Sequence, residues 1–192
     1  NELNVYAVSR VLQDPFAPMD SITTGWVRGY FGSDPAMVQA VAECMNESYD
    51  VVRRGLYISQ FAQFKVHAMG LEPPPMLWIF EWDILGASSS VYSNIYYISR
   101  DSFQQVIDEG LEALTGAVEM REKLLGIRER VTMHTDEFDQ LVEQVEYETE
   151  LFRLLYYYRQ YMMHYYRWID TGEPGERTAY QLSMGQFKAV AD

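Results

Sequence analysis

The stretch from His134 to Asp170 constrains what this chain can fold into more than any other. Apolar side chains recur there in steps of three and four along two separate ridges. One ridge includes Phe138, Val145, Phe152, Leu155, Met163 and Ile169, with Arg159 set into it. The other runs Tyr147, Leu151, Leu154, Tyr158, Tyr161, Tyr165 and Trp168. Between them lies a polar stripe of the same rhythm that contains Glu146, Glu150, Arg153, Gln160, His164 and Arg167. A heptad-like period held this long specifies one long helix, and two ridges on one helix require packing on at least two sides. The stretch reads as the central post of a helical bundle.

The remaining segments are shorter. Leu3 to Leu12 is apolar but of undecided type, closed by Asp14 and Pro15 with Pro18 behind them, because prolines so spaced forbid a regular helix. Asp20 has the chemistry of an N-cap for a helix through Trp26 and Tyr30, ended by Gly32. Asp34 followed by Pro35 is a second start signal, and Met37, Val41, Met45, Tyr49, Val52 and Leu56 carry that helix towards Phe61. Gln63 to Arg100 breaks the rhythm with three consecutive prolines (Pro73 to Pro75) and a serine run (Ser88 to Ser90), and reads as an irregular connection with room for short helices. Asp101 and Gln104 resemble a capping box that opens a helix to about Arg130. Gly110, Ala113, Gly116 and Ala117 on it let a neighbour approach closely, and the brief turn at Thr132 to Thr135 makes it antiparallel to the central helix. Gly172, Pro174 and Gly175 stop the central helix, and Thr178 to Val190 forms a last, weaker one. The expectation is an all-α fold: one domain over 1–192, four or five helices, one long central helix (134–170) and an irregular loop region (63–100).

Composition narrows the partners. The chain has 192 residues and a net charge of −13, with no basic stripe to neutralise phosphates, which argues against nucleic acid or an anionic membrane surface. No apolar run approaches the roughly 20 residues of a membrane helix. The opening residues also lack a signal peptide's charged start and apolar middle, and the chain reads as a mature or excised piece. A single cysteine, Cys44, excludes an internal disulfide and falls among Met37, Val41 and Met45 as a core thiol, which leaves the compartment open. Fifteen tyrosines and four tryptophans are many for this length; such rings pack helices whose edges meet water, and they also suit sugar faces.

Three constellations are candidates for chemistry. Glu72, Trp78, Glu81, Trp82 and Asp83 place carboxylates beside indoles, as a sugar site does, although the same alternation would bury Trp78 and Trp82 in a core. His67, His134 and His164 lack metal-ligand spacing, so neither a metal nor a cofactor is expected, and His164 on the polar stripe reads as a solvated histidine. Arg159 in an apolar ridge must have partners, either a carboxylate of this domain or an acidic ligand. No phosphate-cradling glycine loop or nucleophile elbow is present.

The opening stretch LNVYAVSRVLQDPFAPMDSITTGWVRGYFGSDPAMV resembles the junction at which the catalytic barrel of α-glucuronidase-type glycoside hydrolases (family 67 and its relatives) passes into a C-terminal helical domain. The matching features are Asn4 and Tyr6, Leu12 with Asp14-Pro15, Asp20 and Ile22, Trp26-Val27 leading to Phe31-Gly32, and the capped start at Asp34. Ser48-Tyr49 and Gly55-Leu56-Tyr57 continue the similarity. Gln13 stands where that family carries an aromatic residue, and its later proline-glycine-histidine pattern is missing from Phe64 to Leu71, which implies a relative acting on another sugar. The resemblance implies a catalytic barrel upstream of Asn1 as the partner, a carbohydrate substrate, and no complete active site in this chain. It also implies that the loop from Glu72 to Asn94 reaches the sugar, with Trp82 as a stacking platform, Asp83 as a hydroxyl acceptor, Tyr92 as a second ring and Glu81 beside them. The alternative is a helical interaction module unrelated to sugars, with Tyr147 to Trp168 as a homodimer surface.

Overall fold

The computed structural model describes residues 2–62 and 90–191, and every regular element among them is helical. In chain order these are α1 (Glu2–Gln13), α2 (Met19–Tyr30), α3 (Pro35–Leu56), α4 (Ser59–Ala62), α5 (Ser90–Ser99), α6 (Phe103–Ile127), α7 (Thr135–Thr171) and α8 (Pro174–Ala191). Short 3-10 turns at Arg100–Ser102 and Arg128–Arg130 flank α6. The chain is all-α and organised around one helix of 37 residues, α7, as the double ridge requires.

Contacts group the chain into two compact units, residues 1–49 with 116–148 and residues 50–115 with 149–192. In the first, the Phe31 ring meets Phe138 edge-on at 5.4 Å, and Val27, Met37, Val41 and Leu124 are sealed from solvent around them. The Phe31 carbonyl accepts from the amides of Thr132 and Met133 at 3.0 and 3.2 Å, so the end of α2 is tied to the turn ahead of α7. Gly32 makes that approach with a φ of +129°, and a Cβ there would strike the Thr132 hydroxyl. Arg121 pairs with Glu146 at 2.9 Å and Arg128 with Asp139 at 2.6 Å, a rising and falling order that makes α6 and α7 antiparallel in this unit.

The second unit repeats that pairing, with Phe103 against His164 and Gly110 against Tyr156. Its core holds Ile95, Val106, Phe152, Leu155, Tyr158 and Met163. Gly55 lies against the face of Phe152 and Gly110 against Tyr156 and Arg159, so α3 and α6 come close to α7 where a side chain is missing. Helix α8 covers the aromatic ridge: Phe187 reaches Tyr158 and Tyr161 at 5.8 and 5.4 Å, and Tyr180 stacks on Trp168 within 8° of parallel.

Several boundaries fall elsewhere than the sequence suggests. Asp34 does cap α3, accepting the Met37 amide at 2.9 Å. Asp20 caps nothing; α2 starts one residue earlier behind Pro18, and the Asp20 carboxylate accepts from Asn46 at 3.1 Å. The Asp101–Gln104 box does not form either, because a 3-10 turn occupies the entry and Gln104 donates to Asp108 at 2.8 Å instead. Helix α3 ends at Leu56 rather than near Phe61, with a break before α4. Gly172, at φ +72°, terminates α7 as a C′ glycine, whereas Pro174 and Gly175 open α8.

Candidate functional site

Helix α1 buries none of its residues, although more than half of them are apolar. Along its outer edge Val5, Val8 and Leu12 are 70%, 59% and 80% exposed, and Phe16 and Met19 in the following turn continue the stripe. Asp14 shapes that turn: its carboxylate accepts the Phe16 amide at 3.0 Å and its carbonyl the Ala17 amide at 3.1 Å, which halts α1 and carries the chain into Pro18. Between α1 and α2 lies an open groove of about 700 Å³, lined by Glu2, Val5, Tyr6 and Ser9 from α1 and by Gly25, Trp26, Gly29 and Tyr30 from α2. Gly29 leaves the α2 side low, since a Cβ there would meet nothing within 4 Å, whereas a Cβ at Gly25 would stand 3.4 Å from the Tyr6 hydroxyl.

The groove's aromatic wall is a stack of rings. Trp26 and Tyr30 stack at 4.9 Å, and Tyr30 in turn stacks on His134 at 4.1 Å, nearly parallel. A hydrogen bond to Glu2, aided by burial, pushes the Tyr30 hydroxyl up to about 12 and ties the start of α1 to the end of α2. His134 sits at φ +48° ahead of α7, where its carbonyl accepts the Phe138 amide at 3.0 Å. Sequence reasoning missed this groove. The signal was available in two glycines a helical turn apart beside two aromatic residues, within a stretch almost free of charge.

A second constellation surrounds Arg159, which is 1% exposed. Its partners are main-chain carbonyls: Nη2 donates to Arg54, Gly55 and Tyr57 at 2.8, 3.1 and 3.1 Å, and Nη1 donates to Val106 at 3.2 Å. Three of these carbonyls belong to the end of α3, where unpaired acceptors and the negative end of the helix dipole favour a cation. Burial lowers the guanidinium to about 10, opposed by the charge of nearby Glu109, so it stays charged at neutral pH. Glu109 is itself buried and accepts the Ser59 amide and the Gln105 side chain, both at 3.2 Å. Opposite charges thus hold the two sides of the α3–α4 break. The predicted carboxylate partner is present as a neighbour rather than as a direct pair.

Of the predicted sugar-site residues, Glu81, Trp82 and Asp83 lie outside the described residues, as do Glu72, Trp78 and His67. Tyr92 is buried on α5, with its ring edge-on to Tyr158 at 6.0 Å. His164 is not solvated: its Nδ1 lies 2.6 Å from Glu176 on α8, and Arg167 reaches the same carboxylate at 3.3 Å. In the ridge proposed as a homodimer surface, Tyr158 is buried and Tyr161, Tyr165 and Trp168 meet α8, while Tyr147 stands 71% exposed. Cys44 is buried, its thiol 3.8 Å from the Met120 carbonyl and pushed up to about 11 by burial. No group of three metal-ligating side chains occurs among the described residues, and none of their helices is long and apolar enough to cross a membrane. Comparison with known proteins finds no family model, curated protein or solved structure that matches the chain.

Proposed function

We propose that the chain is a helical accessory domain of a carbohydrate-active glycoside hydrolase, which supports a catalytic barrel through its α1–α2 layer and does not itself hydrolyse sugar. One observation carries this reading: the exposed stripe Val5, Val8, Leu12 lies within the same stretch that bears the resemblance to the barrel-to-domain junction. A helix that shows apolar residues on its outer edge has a protein surface as its natural complement. The all-α architecture and the capped start at Asp34 agree with the resemblance, and catalysis would come from carboxylates of the barrel.

The test is made on the full-length gene product. A barrel-sized reading frame ahead of Asn1 and turnover of at least one aryl glycoside are expected. A stop codon close ahead of Asn1, or no turnover across a panel of glycosides, would overturn the reading. Turnover by the 1–192 chain alone that disappears in Glu81→Gln would replace it with a site inside the chain.

A further inference from the structure

We infer that the groove between α1 and α2 binds a small organic cation, an ammonium carried on a short apolar body. This goes beyond the accessory-domain reading and does not depend on it. Shape sets the size of the ligand. The groove's volume of about 700 Å³ falls within the range of small-molecule clefts. Its α2 side is the Trp26–Tyr30 ring stack, with open space over Gly29. The apolar floor is interrupted, because the Tyr6 hydroxyl stands 3.4 Å from where a Gly25 Cβ would be, and Glu2 enters the lining from α1. A bound helix would need apolar anchors repeated turn after turn. A single ring or short chain needs only the space over Gly29.

Charge selects the head group. Among the described residues Glu2 is the one charged side chain in the lining, and Arg10 and Arg28 lie outside it. The Tyr30 hydroxyl donates to Glu2, which holds that carboxylate beside the ring stack. An ionised carboxylate has about four acceptor sites, so this bond leaves it able to take an ammonium as well. Tyr30 itself registers the negative potential there: its hydrogen bond to Glu2, then burial and the charges of Glu2 and Glu137, push its hydroxyl up to about 12. A carboxylate next to tryptophan and tyrosine rings favours an ammonium twice over, by charge-assisted hydrogen bonding and by the quadrupole of the rings. An anion would meet repulsion from Glu2 in a chain of net charge −13, and a neutral head would forgo the pairing.

Three probes with one body and different heads test this: 4-phenylbutylamine, 4-phenylbutanol and 4-phenylbutyrate, each titrated calorimetrically into the chain at pH 7 and low salt. The amine is expected to bind about tenfold more tightly than the alcohol, and the carboxylate more weakly than either. Glu2→Gln retains an acceptor for Tyr30 but not the charge, and should bring the amine down to the affinity of the alcohol while leaving the alcohol unchanged. Gly29→Leu fills the open space and should abolish binding of all three. Val5→Lys, at a position 70% exposed, places an ammonium in the groove and should exclude the amine; it decides the matter if the leucine variant does not fold. Equal affinities for amine and carboxylate, or no saturable binding of the amine, would overturn the inference. So would amine binding unchanged in Glu2→Gln, which would mark attraction to the acidic chain as a whole, or binding that survives both Gly29→Leu and Val5→Lys.

Discussion

Arg159 on α7 donates from Nη2 to the main-chain carbonyl of Arg54 at 2.8 Å, so one arginine closes the helix that carries the other. The same nitrogen serves Gly55 and Tyr57, and Nη1 reaches Val106 on α6. Removing the side chain leaves several buried acceptors without a donor. Arg159→Met is therefore expected to cost about 3 kcal/mol or more in urea unfolding. Arg159→Lys should recover less than half of that, since a point-like ammonium cannot span carbonyls on two helices. A loss below about 1 kcal/mol in Arg159→Met would mean the carbonyls find other donors.

Gly55 and Phe152 make a complementary pair of a different kind. A Cβ at position 55 would overlap the Phe152 ring, which is 2% exposed. Gly55→Ala should destabilise by about 2 kcal/mol despite the better helix propensity of alanine. Combining it with Phe152→Leu should cost less than the sum of the two changes, which a double-mutant cycle in urea would read. Strict additivity would show that the helices separate instead.

Two carboxylates should give stability profiles of opposite sign. Asp34 is held below the ordinary carboxylate range by the Met37 amide, with Arg130 adding to the effect. Its folded value is depressed, so its contribution is present above about pH 4, the unfolded value, and is lost as the pH falls further. Asp34→Asn keeps a capping side chain but should flatten that acid limb. Glu148 is half-buried and burial pushes its carboxyl up. Its contribution is complete below the unfolded value and declines as the pH rises through the raised one. Glu148→Gln should thus be more stable than wild type at pH 7 and equal to it near pH 3.5. Melting curves across that range check both, and parallel profiles for the two variants would contradict the assignments.

The long helix was legible because its period is written in some forty consecutive side chains, and the start of α3 because Asp34-Pro35 joins two independent signals. Asp20 and Asp101 misled for one reason. A capping side chain competes with other partners, and here Asn46 takes the Asp20 carboxylate while Gln104 spends itself on Asp108. Pro174 could be read as a stop or as a first helical residue, and only the preceding Gly172 in the left-handed region decides for the second. Arg159 was visible as a buried cation, but its partners are carbonyls, which every residue carries and no side-chain pattern reveals. The groove depends on Gly29, whose meaning is an empty volume between helices, a property of packing rather than of local sequence.

Helix α8 is held to α7 by a polar clamp at its start and by rings further along. Glu176 accepts from Arg167 at 3.3 Å and lies 2.6 Å from His164, with both His164 and Glu176 mostly out of solvent. Arg167 also lies over the Phe103 ring at 4.4 Å, so the clamp leads back to the start of α6. Charge-assisted hydrogen bonds that are partly shielded in this way exceed ordinary surface pairs. Glu176→Ala should therefore cost about 1.5–3 kcal/mol, most of it local to α8. The rings remain: Tyr180 against Tyr165 and Trp168, and Phe187 against Tyr158 and Tyr161. Hydrogen exchange in Glu176→Ala is expected to accelerate across Arg177 to Ser183, while amides of α7 between Phe152 and Met163 keep their protection. Adding Tyr180→Ala should extend the fast exchange to the end of α8. Uniform acceleration through α7 would instead show that α8 and the core open together, and unchanged exchange in α8 would show that the rings alone hold it.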